Sequence, residues 1–247
     1  MRLLLLGGST EANRLARRLS GHVRVSATLS LAGRTASPAA ATLPTRIGGF
    51  GGIEGLSRYL IEEGIDAVVD ATHPFAAQMS ENAVAACASA RVPLALFTRP
   101  PWRAQPGDTW IEVGDAAEAA AALGPSSKRV FLTVGRQQLA AFRDLPHHFL
   151  VRTIDPPLPE VLPKFAEILL AKGPFTVAEE IELMRRHAIE FLVSKNSGGG
   201  ATAAKIEAAR SLGLPVVMIQ RPPIHGRTVF YKLEEALAWI ESHLDAL

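Results

Sequence analysis

The stretch Leu3-Leu4-Leu5-Leu6-Gly7-Gly8-Ser9-Thr10-Glu11-Ala12 decides how the rest of the chain is read. A short apolar run breaks at paired glycines. A helical pattern follows, with Leu15, Ala16 and Leu19 on one side and Arg14, Arg17 and Arg18 on the other. That is strand, tight turn, helix. Glycine lets a backbone approach a ligand with no Cβ in the way. Ser9 and Thr10 fall at the helix N-cap, where hydroxyls and unpaired N–H groups converge and anions bind. The turn is not G-x-G-x-x-G and lacks the lysine of a P-loop. Two readings therefore stand side by side, a phosphate-binding turn and an ordinary strand-to-helix connection.

Working outward, residues 22–28 read as a second strand, with Val23, Val25 and Ala27 alternating. Ser30, Arg34 and Thr35 follow in a polar turn. In a dinucleotide fold the end of the second strand lies beside the adenosine ribose, where an acid would hold the 2′-hydroxyl of NAD. This stretch has no acid. Ser30 and Arg34 instead suit the extra phosphate of NADPH, with NADH the other possibility. The competing reading of Arg34 is a solvated surface charge.

Residues 45–47 form a short strand. Gly48-Gly49-Phe50-Gly51-Gly52 then reads as a loop opening a helix that carries Leu56, Leu60 and Ile61. Residues 65–70 are a buried strand ending in Asp70-Ala71-Thr72-His73-Pro74-Phe75-Ala76. A helix over 76–90 and a strand over 92–97 complete the series. Such alternation means a parallel sheet with helices on both faces, whose ligands lie outside the carboxyl ends of the strands. Residues 7–10 and 70–75 both fall at that edge.

Thr98-Arg99-Pro100-Pro101-Trp102-Arg103 interrupts the pattern, and two prolines remove donors and fix φ. It sets the expected boundary between a domain over 1–102 and one over 103–247. The second half repeats the alternation. Strands are expected at 110–113, 129–134, 149–152, 190–193 and 215–219. Helices are expected at 116–123, from 136 to 142, 163–171, 177–187 and 202–212. The segment 228–231 and a helix over 233–244 close the chain. The expected fold class is α/β: two Rossmann-like domains, each a mainly parallel sheet flanked by helices, facing across an interdomain cleft.

A chain of 247 residues, 48% of them hydrophobic, buries a sizeable core in one large domain or two. A net charge of +2 argues against a dedicated nucleic-acid binder, which would carry a basic stripe. The one cysteine, Cys87, allows no disulfide within the chain and reads as a small buried apolar residue. No stretch approaches a membrane span, and the first residues begin a strand rather than a signal peptide, so a cytoplasmic protein is expected. No metal site is visible: His147-His148 and His187 have no partner at ligand spacing, and the pair reads as solvated. No G-x-S-x-G elbow is present. Oligomeric state stays open.

Four loops fall at carboxyl ends of predicted strands: residues 7–10, 70–75, 135–137 and 194–200. They carry glycines, hydroxyls, His73, Arg136 and Lys195. In Ser194-Lys195-Asn196-Ser197-Gly198-Gly199-Gly200, a lysine, hydroxyls and successive glycine amides before a helix make an anion nest. Bland alternatives stand beside these. His73 could satisfy turn carbonyls, Asp70 could cap the next helix, and Arg136 could be an ordinary helix-start side chain.

Together these loops resemble the precorrin-6A reductase family of the cobalamin pathway, over nearly the whole chain. The resemblance rests on Leu6-Gly7-Gly8-Ser9-Thr10-Glu11-Ala12, on Asp70-Ala71-Thr72-His73-Pro74-Phe75-Ala76 with Ser80, Asn82 and Ala83, and on Arg99-Pro100-Pro101-Trp102. Thr133-Val134-Gly135-Arg136-Gln137 and Val193-Ser194-Lys195-Asn196-Ser197-Gly198-Gly199 with Lys205 extend it. Where the family usually shows threonine straight after the paired glycines, this chain has Ser9 and then Thr10. The resemblance implies reduction of one double bond of the precorrin-6A macrocycle, or of its cobalt form, to precorrin-6B, with a nicotinamide nucleotide as hydride source. On this reading Gly7, Gly8, Ser9 and Thr10 would hold the pyrophosphate, Ser30 and Arg34 would lie near the adenosine phosphate, and Ala71 and Thr72 would border the cofactor. His73, Pro74, Phe75, Arg136, Gln137, Lys195, Asn196, Ser197 and Gly198 would meet a substrate rich in carboxylates. His73 is the candidate proton source or polariser, with water equally able, and Asp70 is a second catalytic candidate. The rival readings are another nucleotide-dependent enzyme acting on an anionic substrate and a non-catalytic two-lobed anion-binding protein.

Overall fold

The computed structural model describes residues 1–33, 42–223 and 226–244. The chain folds as two compact units, one made of Met1–Pro100 with Pro222–Leu247 and the other of Pro101–Arg221.

In the first unit six strands lie in the order β12-β5-β4-β1-β2-β3, all parallel. They are β1 (Arg2–Leu6), β2 (Ser26–Leu31), β3 (Thr45–Ile47), β4 (Ala67–Asp70), β5 (Leu94–Phe97) and β12 (Thr228–Phe230). The four leucines of β1 show why the run is continuously apolar. Leu3 and Leu5 pack under α1 (Thr10–Leu19) and α7 (Leu233–Leu244), while Leu4 and Leu6 pack under α2 (Gly52–Glu62) and α3 (Ala77–Ala90). A parallel strand covered on both faces has no polar side to alternate with. Cys87 is buried in the second of these layers, and burial, with the Asp70 charge nearby, pushes its thiol up to about 12.

Two expectations for this unit are corrected. The second strand begins at Ser26, not at residue 22, and Val23 is 96% exposed. Pairing with β1, from Arg2 opposite Ser26 to Leu6 opposite Ser30, sets the register, and this places Ser30 inside the strand. The stretch after residue 221 was expected in the second domain. Instead β12 pairs with β5, and α7 buries Leu233, Ala236 and Ile240 in the core of the first unit. Nothing local distinguishes a strand that continues one sheet from a strand that returns to another; only the open edge of β5 decides it.

The second unit holds six parallel strands in the order β6-β11-β10-β7-β8-β9. They are β6 (Thr109–Val113), β7 (Arg129–Thr133), β8 (His148–Thr153), β9 (Ala166–Leu170), β10 (Phe191–Lys195) and β11 (Pro215–Ile219), with helices α4 (Ala116–Ala122), α5 (Val177–Arg186) and α6 (Ala204–Ser211). Both sheets thus show the doubly wound order 3-2-1-4-5-6. In the first, the sixth place is taken by the chain's last strand; in the second, by the first strand of that unit.

The helix expected over 163–171 is the strand β9, paired with β8 from Phe149 opposite Ala166 to Thr153 opposite Leu170. An uncapped helix of nine residues is marginal by itself, whereas the edge of β8 supplies a full row of backbone partners. The helix expected from residue 136 is a 3₁₀ turn, Arg136–Phe142. His147 is not solvated: it is fully buried, and burial, with Lys128 beside it, holds its imidazole below the usual histidine range. Among the described residues no helix is long and apolar enough to cross a membrane, and no group of His, Cys, Asp or Glu is placed to hold a metal ion.

Candidate functional site

At the carboxyl edge of the first sheet, β1 lies between β2 and β4, so the strand order reverses there. That is the switch point at which open α/β sheets bind ligands. The β1–α1 turn is drawn tight against β2. The Gly7 amide donates to the Ser30 carbonyl at 2.9 Å, and a Cβ on Gly7 would sit 2.5 Å from Leu29 Cδ1. Gly8 has φ of +113° and nothing within 4 Å of where a Cβ would lie, so its backbone faces open space.

Ser9 is the N-cap of α1. Its Oγ accepts from the Ala12 amide at 3.1 Å and donates to the Ala71 carbonyl at 2.6 Å. Its one hydroxyl proton is therefore committed to the neighbouring loop. Its role is to fix the turn. Among the described residues the Thr10 and Glu11 amides have no acceptor, and the Thr10 side chain is exposed. Glu11 in that first turn is paired with Arg99 at 2.8 Å, so its charge is balanced from the end of β5.

The loop after β4 is anchored by Asp70, which is fully buried. Its Oδ1 accepts from the Thr72 amide at 3.0 Å and from Thr72 Oγ1 at 2.7 Å. Its Oδ2 accepts from Ser80 Oγ at 2.6 Å and from Arg227 Nη1 at 2.9 Å. Both oxygens are occupied and enclosed. Asp70, a catalytic candidate in the sequence, ties the loop, α3 and the returning segment together. Arg227 was missed in the sequence, because its partner lies 157 positions away.

This anchor presents Ala71, Thr72, His73, Pro74 and Phe75 along the edge next to β1, where the Ala71 amide donates to the Leu6 carbonyl at 2.8 Å. His73 is half-buried. Its Nδ1 accepts from the Phe75 amide at 3.3 Å, which assigns the ring proton to Nε2. A cavity of about 250 Å³ opens beside it, lined by Thr72, His73, Pro74, Ser80, Leu96 and Arg227 among others.

In the second unit the corresponding edge is formed by the loops after β7 and β10, neighbouring strands with Ser194 opposite Thr133. Arg136 and Gln137 are exposed at the start of the 3₁₀ turn, and Arg136 Nη2 lies 3.4 Å from Asp155 Oδ2. Lys195 ends β10 with its Nζ close to Gly135, where a Cβ would come within 3.2 Å of it. Burial lowers its pKa from 10.5 to about 8.

Asn196 is only 2% exposed. Its Oδ1 accepts from the Trp102 amide at 2.7 Å, and its Nδ2 donates to the Trp102 carbonyl at 3.0 Å and to Gln220 Oε1 at 3.2 Å. Asn196, expected to meet substrate, clamps Trp102 with its side-chain amide. The clamp extends along the loop. Trp102 Nε1 donates to the Gly199 carbonyl, and Arg221 donates to the carbonyls of Asn196 and Ser197. The entry and exit segments of this unit are therefore both hydrogen-bonded to one loop. Ser197 and Gly198 are buried within it.

The residues present fit a nicotinamide nucleotide. An open glycine backbone and unpaired amides at a helix N-terminus match a pyrophosphate, and Ser30 lies one strand away. Arg34, expected near the adenosine phosphate, lies outside the described residues.

Two doubly wound parallel sheets, each with its polar loops at the carboxyl edge, define a tandem Rossmann-like α/β protein. The match to known proteins is more specific. The chain belongs to the family described as precorrin-6x reductase CbiJ/CobK, which it matches over residues 2–241, and so to the oxidoreductases of cobalamin biosynthesis. It is 52% identical to the precorrin-6A reductase of Rhodobacter capsulatus over 98% of this chain and 96% of that one. It is 48% identical to the precorrin-6A reductase of Rhodococcus erythropolis over 97% of each. A solved CobK precorrin-6A reductase superposes with a TM-score of 0.88 at 50% identity, covering 98% of this chain and 96% of that one.

Proposed function

We propose that this chain reduces one double bond of precorrin-6A, or its cobalt form, with NADPH as the reductant, and that the two rims divide the work. The observation that carries the reading is the pairing of an open glycine turn with the His73 loop on adjacent strands at the switch point of the first sheet. Reduced nicotinamide supplies a hydride when bound. The chain's own part is to place and to polarise. Amides of Gly8, Thr10 and Glu11 receive the pyrophosphate. Ala71 and Thr72 border the nicotinamide. His73, with its proton on Nε2, donates a hydrogen bond that polarises the macrocycle and keeps that proton, while water delivers the proton to the ring carbon next to the one that receives hydride.

On the second unit, Arg136 and Lys195 bind carboxylates of the macrocycle, a forked cation and a point charge respectively. Lys195 with a pKa of about 8 is mostly charged at neutral pH.

The test is to incubate the purified chain with precorrin-6A and NADPH while following nucleotide oxidation and the macrocycle spectrum together. Both change in step if the reading holds. A nucleotide that is never oxidised, however tightly it binds, would leave a binding protein. For His73→Ala, turnover should drop about 100-fold, the usual worth of a hydrogen-bond donor aimed at developing charge. A loss under about threefold would remove His73 from the chemistry.

A further inference from the structure

At the carboxyl edge of the first sheet one cation stands where the sequence offered no reason to look. Arg46 lies on β3 directly opposite Ser30 on β2. Its Nη1 donates to Ser30 Oγ at 2.8 Å and to the Gly48 carbonyl at 3.0 Å, and its Nη2 donates to the Gly49 carbonyl at 3.0 Å. The guanidinium lies over the Phe50 ring, 3.7 Å from its centroid, with Tyr59 packed edge-on against Phe50 at 5.2 Å. Three acceptors and an aromatic face thus hold a long side chain in one orientation. All three acceptors are neutral. Among the described residues no carboxylate pairs with Arg46, and its three hydrogen bonds leave two of its five N–H donors unused. A fixed, half-buried cation with no counter-charge is a receptor for an anion.

Its position names the anion. Ser30 is the shared link: its carbonyl receives the Gly7 amide and its hydroxyl receives Arg46. The glycine turn and Arg46 are therefore two strands apart, about 10 Å at the usual spacing of roughly 4.8 Å. In doubly wound folds the ribose of the adenosine lies beside the end of the second strand, and an arginine nearby receives the 2′-phosphate.

We infer that Arg46, pre-oriented by Ser30 and Phe50, is the residue that selects NADPH over NADH by gripping the adenosine 2′-phosphate. This rests on the proposal that the first rim holds a nicotinamide nucleotide. It relocates the selectivity expected of Arg34.

The experiment is calorimetric titration of the full chain with NADP⁺ and with NAD⁺, without macrocycle, for the wild type, Arg46→Ala, Arg46→Met, Arg46→Lys and Arg34→Ala. Charged hydrogen bonds of this kind predict a preference for NADP⁺ of about 30-fold in the wild type. Arg46→Ala and Arg46→Met should lose most of it through weaker NADP⁺ binding, with NAD⁺ affinity changed by less than about threefold. Arg46→Lys should recover part. Arg46→Met keeps an apolar stem on Phe50, and NAD⁺ binding reports an intact turn in every variant.

Equal weakening toward both nucleotides would make Arg46 a scaffold for the 48–49 carbonyls and overturn the inference. So would a preference that survives Arg46→Ala. A wild type that binds both nucleotides equally overturns this inference alone. A wild type that binds neither overturns the functional reading beneath it.

Discussion

The two rims are written in similar residues and built differently. Each follows a parallel strand with glycines and hydroxyls. At the first, side chains do the holding and backbone is left facing outward: Ser9 and Asp70 fasten their own loops, while Gly8 and the Thr10 amide stay open. At the second, the loop after β10 is itself the fastening, with Asn196 and the carbonyls of residues 196, 197 and 199 taken up by Trp102 and Arg221. Strings that look equally suited to anions therefore differ in what remains free. A glycine-rich loop binds a ligand only where its polar groups are not already holding the fold.

The contrast can be broken first at Asp70. It pairs with Arg227 in a site where both side chains are nearly inaccessible. Asp70→Ala leaves a buried guanidinium without its partner, which costs about 4 kcal/mol. Urea unfolding of the full chain measures it, and a loss below about 1 kcal/mol would mean the anchor is dispensable.

Asn196→Ala is the matching change at the second rim. It removes three hydrogen bonds and strands the Trp102 amide, an expected loss of about 2 kcal/mol. Nucleotide affinity should be nearly unchanged. A strong fall in nucleotide binding with no fall in stability would return Asn196 to the ligand site and erase the distinction between the rims.

The smallest effect is on pH. Lys195 is held at about 8 in the fold by burial, against about 10.4 in an unfolded chain. Its charge, and with it carboxylate binding at the second rim, should fade as pH rises through about 8. The sign for stability is opposite. Between those two values the unfolded chain binds the extra proton, so raising pH through that window relieves the cost of burying the charge. Lys195→Met should flatten both profiles; profiles that keep their slope would place the titrating group elsewhere.

Much of the fold was legible. Four leucines before paired glycines, and strand-helix alternation on both sides of the proline break, sufficed for two parallel sheets. Ser9 at the N-cap, the 45–47 strand and the last helix fell where local pattern put them. β9 did not, because Phe165-Ala166-Glu167-Ile168-Leu169-Leu170 suits either period and the edge of β8 chose between them. Arg46 was passed over because a lone arginine on a short strand carries no signal until Ser30 is found opposite it.

Residue chemistry along the chain thus determined where strands end, where helices begin and which loops carry hydroxyls, glycines and cations. Periodicity and capping act over a few residues and need no distant partner. The tertiary structure alone decided that the final strand returns to the first sheet, that Asp70 is closed off by Arg227, that Asn196 is a clamp, and that Arg46 faces Ser30. Each of these depends on register or on a hydrogen bond between segments distant in sequence or on neighbouring strands. Such pairings are settled by which polar groups are left to satisfy once the core has closed.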